Sequence, residues 1–180
     1  MNVHVIRLSG MTSEEPTWLT AEQQRVWRSL HGVLLLLPIA LDRQLQQDSE
    51  LSLLEYYVLA GLSEDPTGAA RLSDVAFLTN AELSRVSHLA ARLEKRGLLV
   101  RRPDPADGRY TNAVITEEGR DLVRRAAPGH VATVRKLIFD ALGEAGVPEL
   151  GRAMDRIGTA LSETDVPRIP GAGRRPPPGS

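Results

Sequence analysis

Between positions 83 and 93 apolar and polar residues recur with the period of a helix. At about 100° per residue, Leu83, Val86, Leu89, Ala90 and Leu93 gather on one side, and Ser84, Arg85, Ser87, His88, Ala91 and Arg92 on the other. The spacing predicts a helix that begins after Asn80, a residue type suited to an N-cap, and that buries its leucine side. It closes with Glu94-Lys95-Arg96 and then Gly97, because glycine most easily takes the left-handed conformation that ends a helix. Upstream, 72–78 reads as a short helix with Ser73 as its cap and Leu72, Val75, Ala76 and Leu78 turned inward, followed by a tight turn at Thr79 and Asn80. Downstream, two β-prone runs, 98–102 and 110–115, flank the turn residues 103–108 and predict a hairpin. A helix restarts at Thr116-Glu117-Glu118, with a hydroxyl at the cap and carboxylates where the helix dipole favours them.

Helix, tight turn, helix and basic hairpin in that order spell a winged helix-turn-helix, so the predicted fold class is mainly α with a small β-wing. Further helices surround it. Residues 18–47 form a long amphipathic segment with Val26, Trp27, Leu30, Val33, Leu34, Leu37 and Leu41 near one stripe. Ser52 and Glu55 stand in the capping-box relation, opening a helix that turns Leu54, Val58 and Leu62 inward. Segments 119–142 and 148–161 are helical in pattern, with a kink expected at Pro128-Gly129. Residues 1–16 read as irregular, 17–165 as one domain with a winged lobe at about 51–117, and 166–180, with five prolines, as a disordered tail.

Charge sharpens this picture. The chain as a whole carries a formal net charge of −1, yet residues 71–102 hold seven basic groups against Asp74, Glu82 and Glu94. Positive charge is therefore concentrated where phosphates would lie. Cysteine is absent, which excludes disulfides, thiolate metal sites and cysteine-based redox sensing. The four histidines, at 4, 31, 88 and 130, show no paired ligand spacing, so neither a metal nor another cofactor is expected. No nucleophile stands at a recognisable spacing from a base, and no glycine loop suits a phosphate, which argues against an enzyme. The apolar run 33–41 is too short to span a bilayer and contains Pro38. No secretion signal is visible at the start, so a cytoplasmic protein without a membrane partner is expected.

At these residues the chain resembles the MarR (multiple antibiotic resistance regulator) family of winged helix-turn-helix regulators. The resemblance rests on Asp107-Gly108-Arg109 followed by Thr116-Glu117-Glu118-Gly119, on Leu93-Glu94-Lys95-Arg96-Gly97-Leu98, and on the segment 51–59, and it covers about residues 20–160. Ile115 stands where the family often has leucine. The resemblance implies a homodimeric repressor of transcription that binds an inverted repeat in double-stranded DNA. It also implies dimerisation helices at about 18–47 and 119–161, which place the two lobes on successive major grooves about 34 Å apart. A small aromatic or anionic effector would release the DNA. An alternative is a winged-helix protein-interaction module without DNA binding, against which the basic face argues.

On the outward face, Ser84, Ser87 and His88 are placed to reach base edges, and Arg85 is long enough for the O6 and N7 of guanine or for a phosphate. Arg92, a turn further on, is expected to hold the DNA backbone. Arg109 matches the family's wing arginine, which enters the minor groove, and Asp107 would orient it or cap the turn. Glu82 favours the helix dipole but repels phosphate. The resemblance places the effector in a cleft beside the first helix, for which Trp27, His31, Tyr56 and Tyr57 are the candidate lining groups.

Overall fold

A computed structural model describes residues 16–79 and 81–164. The expectations for 1–15, for 166–180 and for Asn80 as a cap lie outside the described residues. The chain divides between Leu36 and Leu37 into two compact units.

The first unit holds the opening of helix α1 (Ala21–Ser49). Its start is a capping box of Thr20 and Gln23. The Thr20 N–H donates to Gln23 Oε1 at 2.8 Å, and the Gln23 N–H donates to Thr20 Oγ1 at 3.2 Å. Val26, Trp27, Val33, Leu34, Leu35 and Leu36 are all exposed. Four consecutive exposed apolar residues wrap around a helix, so the single stripe predicted for 18–47 is broader than its pattern suggested.

The second unit carries the core. Leu41 and Leu45 on the last turns of α1 are buried, and Glu50, with φ 54°, turns the chain so that Leu51 is buried as well. Helix α2 (Leu53–Glu64) then starts in the predicted capping box. The Ser52 N–H donates to Glu55 Oε2 at 2.8 Å, and the Glu55 N–H donates to Ser52 Oγ at 3.2 Å. Asp42 of α1 accepts the Leu53 N–H at 2.8 Å and satisfies another free donor of that first turn. Tyr56, Val58, Leu59 and Leu62 are buried, and Leu54 packs half-buried against them.

A three-residue strand β1 (Ala69–Arg71), which the sequence pattern does not announce, leads into α3 (Leu72–Leu78). Arg71, not Ser73, is the N-cap, and the Ser73 hydroxyl lies inside the helix, donating to Asp74 Oδ1 at 3.3 Å. Helix α4 (Leu83–Lys95) starts two residues later than predicted, with Glu82 as N-cap and no side-chain cap bond. Val86, Leu89, Ala90 and Leu93 are buried as predicted, but Leu83 is 54% exposed. It lies about 70° from the centre of the buried four and on the first residue of the helix, beyond the reach of the core.

The end of α4 follows the prediction at Gly97, whose φ is 74°. The Gly97 N–H donates to the Glu94 carbonyl at 2.9 Å and the Leu98 N–H to the Leu93 carbonyl at 3.0 Å, a Schellman closure. Strands β2 (Leu99–Pro103) and β3 (Thr111–Ile115) form the hairpin, in register from Leu99 opposite Ile115 to Pro103 opposite Thr111. The sheet is antiparallel with order β1-β3-β2. Thr116 caps α5 (Glu117–Val134) by accepting the Gly119 N–H at 3.1 Å, and its hydroxyl donates to the Gly97 carbonyl at 2.7 Å. The end of one helix is thereby tied to the start of the next.

Helix α5 is continuous through Pro128 and Gly129. Gly143, with φ 65° and ψ 172°, leaves helical space altogether. A π-helical turn (Arg135–Phe139) precedes α6 (Asp140–Ser162), and α6 breaks at Gly143. No residue of α6 is buried, and Leu142, Val147, Met154, Ile157 and Leu161 are exposed. Among the described residues, no helix is long and apolar enough to cross a membrane.

Candidate nucleic-acid interface

The outward face of α4 is presented by a helix whose opposite face is locked into the core. Ser84, Arg85 and His88 are exposed there, and Ser87 is half-buried. Ser84 Oγ donates to Glu82 Oε2 at 3.4 Å, so the Glu82 carboxylate at the helix start engages a hydroxyl of the outward face. Among the described residues Arg85 forms no ion pair, which leaves its guanidinium available to an outside acceptor.

Arg92 is engaged within the protein itself. Its Nε donates to Glu55 Oε1 at 3.1 Å, and its Nη2 lies 3.0 Å from the same oxygen. Glu55 is only 4% exposed and also receives the Ser52 N–H, so one buried carboxylate serves both the α2 cap and the recognition helix. Arg96 adds a longer contact to Glu55, 4.0 Å, and donates to the Glu50 carbonyl at 3.0 Å. Sequence reasoning identified Glu55 only as a cap. A glutamate within an otherwise buried run was the available signal, since such a group requires a cationic partner.

The wing is fastened to the lobe by Asp104. Its Oδ2 accepts from Arg71 Nε at 2.8 Å, and its Oδ1 accepts the N–H groups of Ala106 and Asp107 at 2.8 and 3.0 Å. The Arg71 bond, then the Ala106 N–H, hold its carboxyl well below the usual carboxylate range. The Arg71 guanidinium also stacks 4.6 Å from the centre of the Tyr110 ring. Beyond this clamp the Arg109 side chain is 87% exposed, with Nη2 2.8 Å from Asp107 Oδ2 and Nε 3.0 Å from Oδ1. The Asp107–Arg109 ion pair is thus present, and this bond lowers the Asp107 pKa while raising that of Arg109. On the other wing strand, Arg101 donates from Nε and from its N–H to the carboxylate of Glu94 on α4 at 2.8 and 2.9 Å.

Two hollows adjoin this surface. A notch of about 210 Å³ lies between α3, α4 and the wing and is lined by Ser73, Leu83, Ser87, Arg109 and Tyr110. A larger cleft of about 780 Å³ has apolar walls from Pro38, Ile39, Leu53, Leu54, Leu89 and Tyr57. Its charged lining comes from Asp42, Arg43, Arg85 and Arg92, with His88 beside them. Of the four candidate effector groups, Tyr57 alone lines this cleft. Tyr56 is buried, its ring 4.6 Å from that of His130 on α5, while Trp27 and His31 pack on each other one turn apart on α1, 5.9 Å between ring centres. The sequence reading passed over His130. Burial lowers its pKa, and its Nδ1 has no hydrogen-bond partner.

A helix-turn-helix with an exposed basic reading face, followed by a clamped hairpin with an arginine at its tip, defines a winged helix-turn-helix DNA-binding protein. The comparison with known proteins narrows the class. A profile described as MarR family matches residues 49–109. The crystal structure of Sco3205, a MarR family transcriptional regulator from Streptomyces coelicolor in complex with DNA, is 42% identical, with a TM-score of 0.77 over 87% of this chain and 99% of that one. The transcriptional repressor IacR from Pseudomonas putida is 30% identical over 109 residues, 59% of this chain and 62% of that protein. CouR from Rhodococcus jostii RHA1, whose crystal structure holds p-coumaroyl-CoA, is 26% identical, with a TM-score of 0.64 over 77% of this chain and 95% of that one. The matches to curated relatives span between 50% and 62% of those proteins' length. The chain belongs to the MarR family of transcriptional regulators.

Proposed function

We propose that this protein is a homodimeric transcriptional repressor that binds an inverted-repeat operator and is released from it by a small-molecule effector. One observation carries the DNA reading: Arg85, free of any ion pair among the described residues, stands with Ser84, Ser87 and His88 on the exposed side of a helix whose other side is buried. Short hydroxyls let such a helix approach base edges, and a free guanidinium suits guanine. The exposed wing arginine supplies a second contact, to the minor groove. The DNA complex of Sco3205 supports this reading by analogy.

The dimer is supported by the exposed apolar side chains of α1 and of α6. A patch of large apolar residues on a soluble chain marks a contact surface. The helices at about 18–47 and 119–161 are the proposed dimerisation elements, and the lobe at about 51–117 the DNA-binding one. The effector reading rests on the 780 Å³ cleft, whose apolar walls and three basic side chains suit an anion with an aromatic or acyl body, and CouR's ligand is of that kind. Trp27, His31 and Tyr56 have less claim to that role than Tyr57.

The test is a mobility-shift assay with the full chain on DNA upstream of its own gene, combined with sedimentation. A salt-sensitive, sequence-dependent complex and a free protein of twice 19.7 kDa are the expected results. No shift on any duplex would favour a protein-interaction module, and a monomer with intact DNA binding would overturn the dimer.

A further inference from the structure

Leu83 is the one large apolar residue of α4 that the core does not take. Its four partners in the helical pattern are 0–3% exposed, whereas Leu83 is 54% exposed on the first residue of the helix. It lines the notch that Ser87 of α4 shares with Arg109 and Tyr110 of the wing. These neighbours mark the side of the lobe proposed to meet DNA, and a recognition helix presents its N-terminal residues to the base edges. Most side chains on that side are hydroxylic or cationic and choose bases by hydrogen bonds. A branched alkyl group offers no hydrogen bond, and the single apolar feature of a major-groove edge is the 5-methyl group of thymine.

We propose that Leu83 is a specificity-determining residue that reads a thymine methyl group at one symmetric position in each half-site. The inference rests on the DNA-binding reading above and deepens it. Desolvating a leucine against a phosphate or a cytosine amino group gains nothing, so the contact selects thymine rather than merely tolerating it. Ser87 and Arg109, on either side of the notch, fix the flanking contacts and hold the leucine in register.

Removing one methyl group from the DNA tests this directly. The full-length wild-type protein is first used to select its preferred sites from a random-sequence pool. Each thymine of that site is then replaced, symmetrically and one position at a time, by deoxyuridine, which lacks only the methyl. At one position the wild type should lose roughly fourfold in affinity for each half-site altered, the value of one buried methyl group. Leu83→Ala should bind the thymine and uracil duplexes equally there, and selection with that variant should no longer return thymine at that position. Leu83→Met, which keeps an alkyl surface, should retain part of the discrimination. The exposure of Leu83 makes folding of the alanine variant testable by unchanged thermal unfolding; if it unfolds early, the methionine variant and the wild-type uracil scan still decide the matter. If every thymine responds alike in wild type and Leu83→Ala, or if the selected site contains no thymine, the inference is overturned while the DNA reading stands. If selection returns no preferred site, both are overturned.

Discussion

Single side chains divide the basic surface into free and occupied groups. Seven basic residues lie between 71 and 102, but Arg71 is bound to Asp104, Arg92 and Arg96 to Glu55, and Arg101 to Glu94. The sequence count of positive charge therefore overstates what DNA can recruit without competition from a carboxylate. Arg85→Ala should cost about 1–3 kcal/mol per half-site on the preferred operator and much less on random DNA. Arg109→Ala should instead weaken binding to all duplexes and reduce the steepness of the salt dependence by roughly one unit per subunit. Titration of both variants against specific and random duplexes over a range of salt separates the two roles. Equal losses on both duplexes for Arg85→Ala would reassign it to the phosphates. His130 makes a different prediction. Burial depresses its pKa in the folded chain, while the unfolded chain protonates it near its ordinary value of about 6.5. Its contribution to stability is thus present above about pH 6.5 and is lost as pH falls through that value toward the depressed one. His130→Phe keeps an aromatic ring beside Tyr56 and removes the proton, so denaturant midpoints should fall less between pH 7.5 and 5.5 in the variant than in the wild type. Parallel curves would mean that His130 takes no part in the pH response.

The helices of the lobe show where local pattern suffices and where it fails. The capping box of Ser52 and Glu55, the helix end at Gly97 and the buried face of α4 follow from residues a few positions apart, and these features were legible. The start of α4, the exposure of Leu83 and the cap of α3 were not, because they depend on where the neighbouring walls of the core end. Strand β1 has three residues, Ala69, Ala70 and Arg71, and only its pairing with β3 makes it a strand. The bonds of Arg92 to Glu55 and of Arg71 to Asp104 join residues 37 and 33 positions apart, beyond any periodicity. For the same reason Tyr56 is drawn to His130 on α5 rather than into the cleft, whereas the Trp27–His31 pair on α1 is local. One element junction is tight enough for a firm prediction. A Cβ on Gly119 would collide with the Leu98 carbonyl and with the Ile115 side chain, just where α5 seats against the wing strands. Gly119→Ala should cost about 2 kcal/mol or more, read as a lower urea midpoint. An unchanged midpoint would show that this junction can open without loss.

At the scale of the whole molecule, the total charge of −1 conceals an uneven distribution, with a basic excess in 71–102 offset by an acidic excess over the rest of the chain. Such a distribution presents one positive region to a duplex even though the chain is close to neutral. The large cleft draws part of its lining from that region: Arg85, His88 and Arg92 belong to its wall as well as to the outward side of α4. Two guests that claim the same three side chains cannot be independent. Thermodynamic linkage requires that whatever factor a compound in the cleft subtracts from operator affinity, the operator subtracts the same factor from the compound's affinity. A signal molecule would then bind more tightly to protein already away from the operator, so scattered protein in the cell would act as a reservoir for the signal and bound protein would resist weak or brief pulses of it. Calorimetric titration of any releasing compound, with and without saturating operator duplex, should return the same ratio as the operator titration with and without the compound.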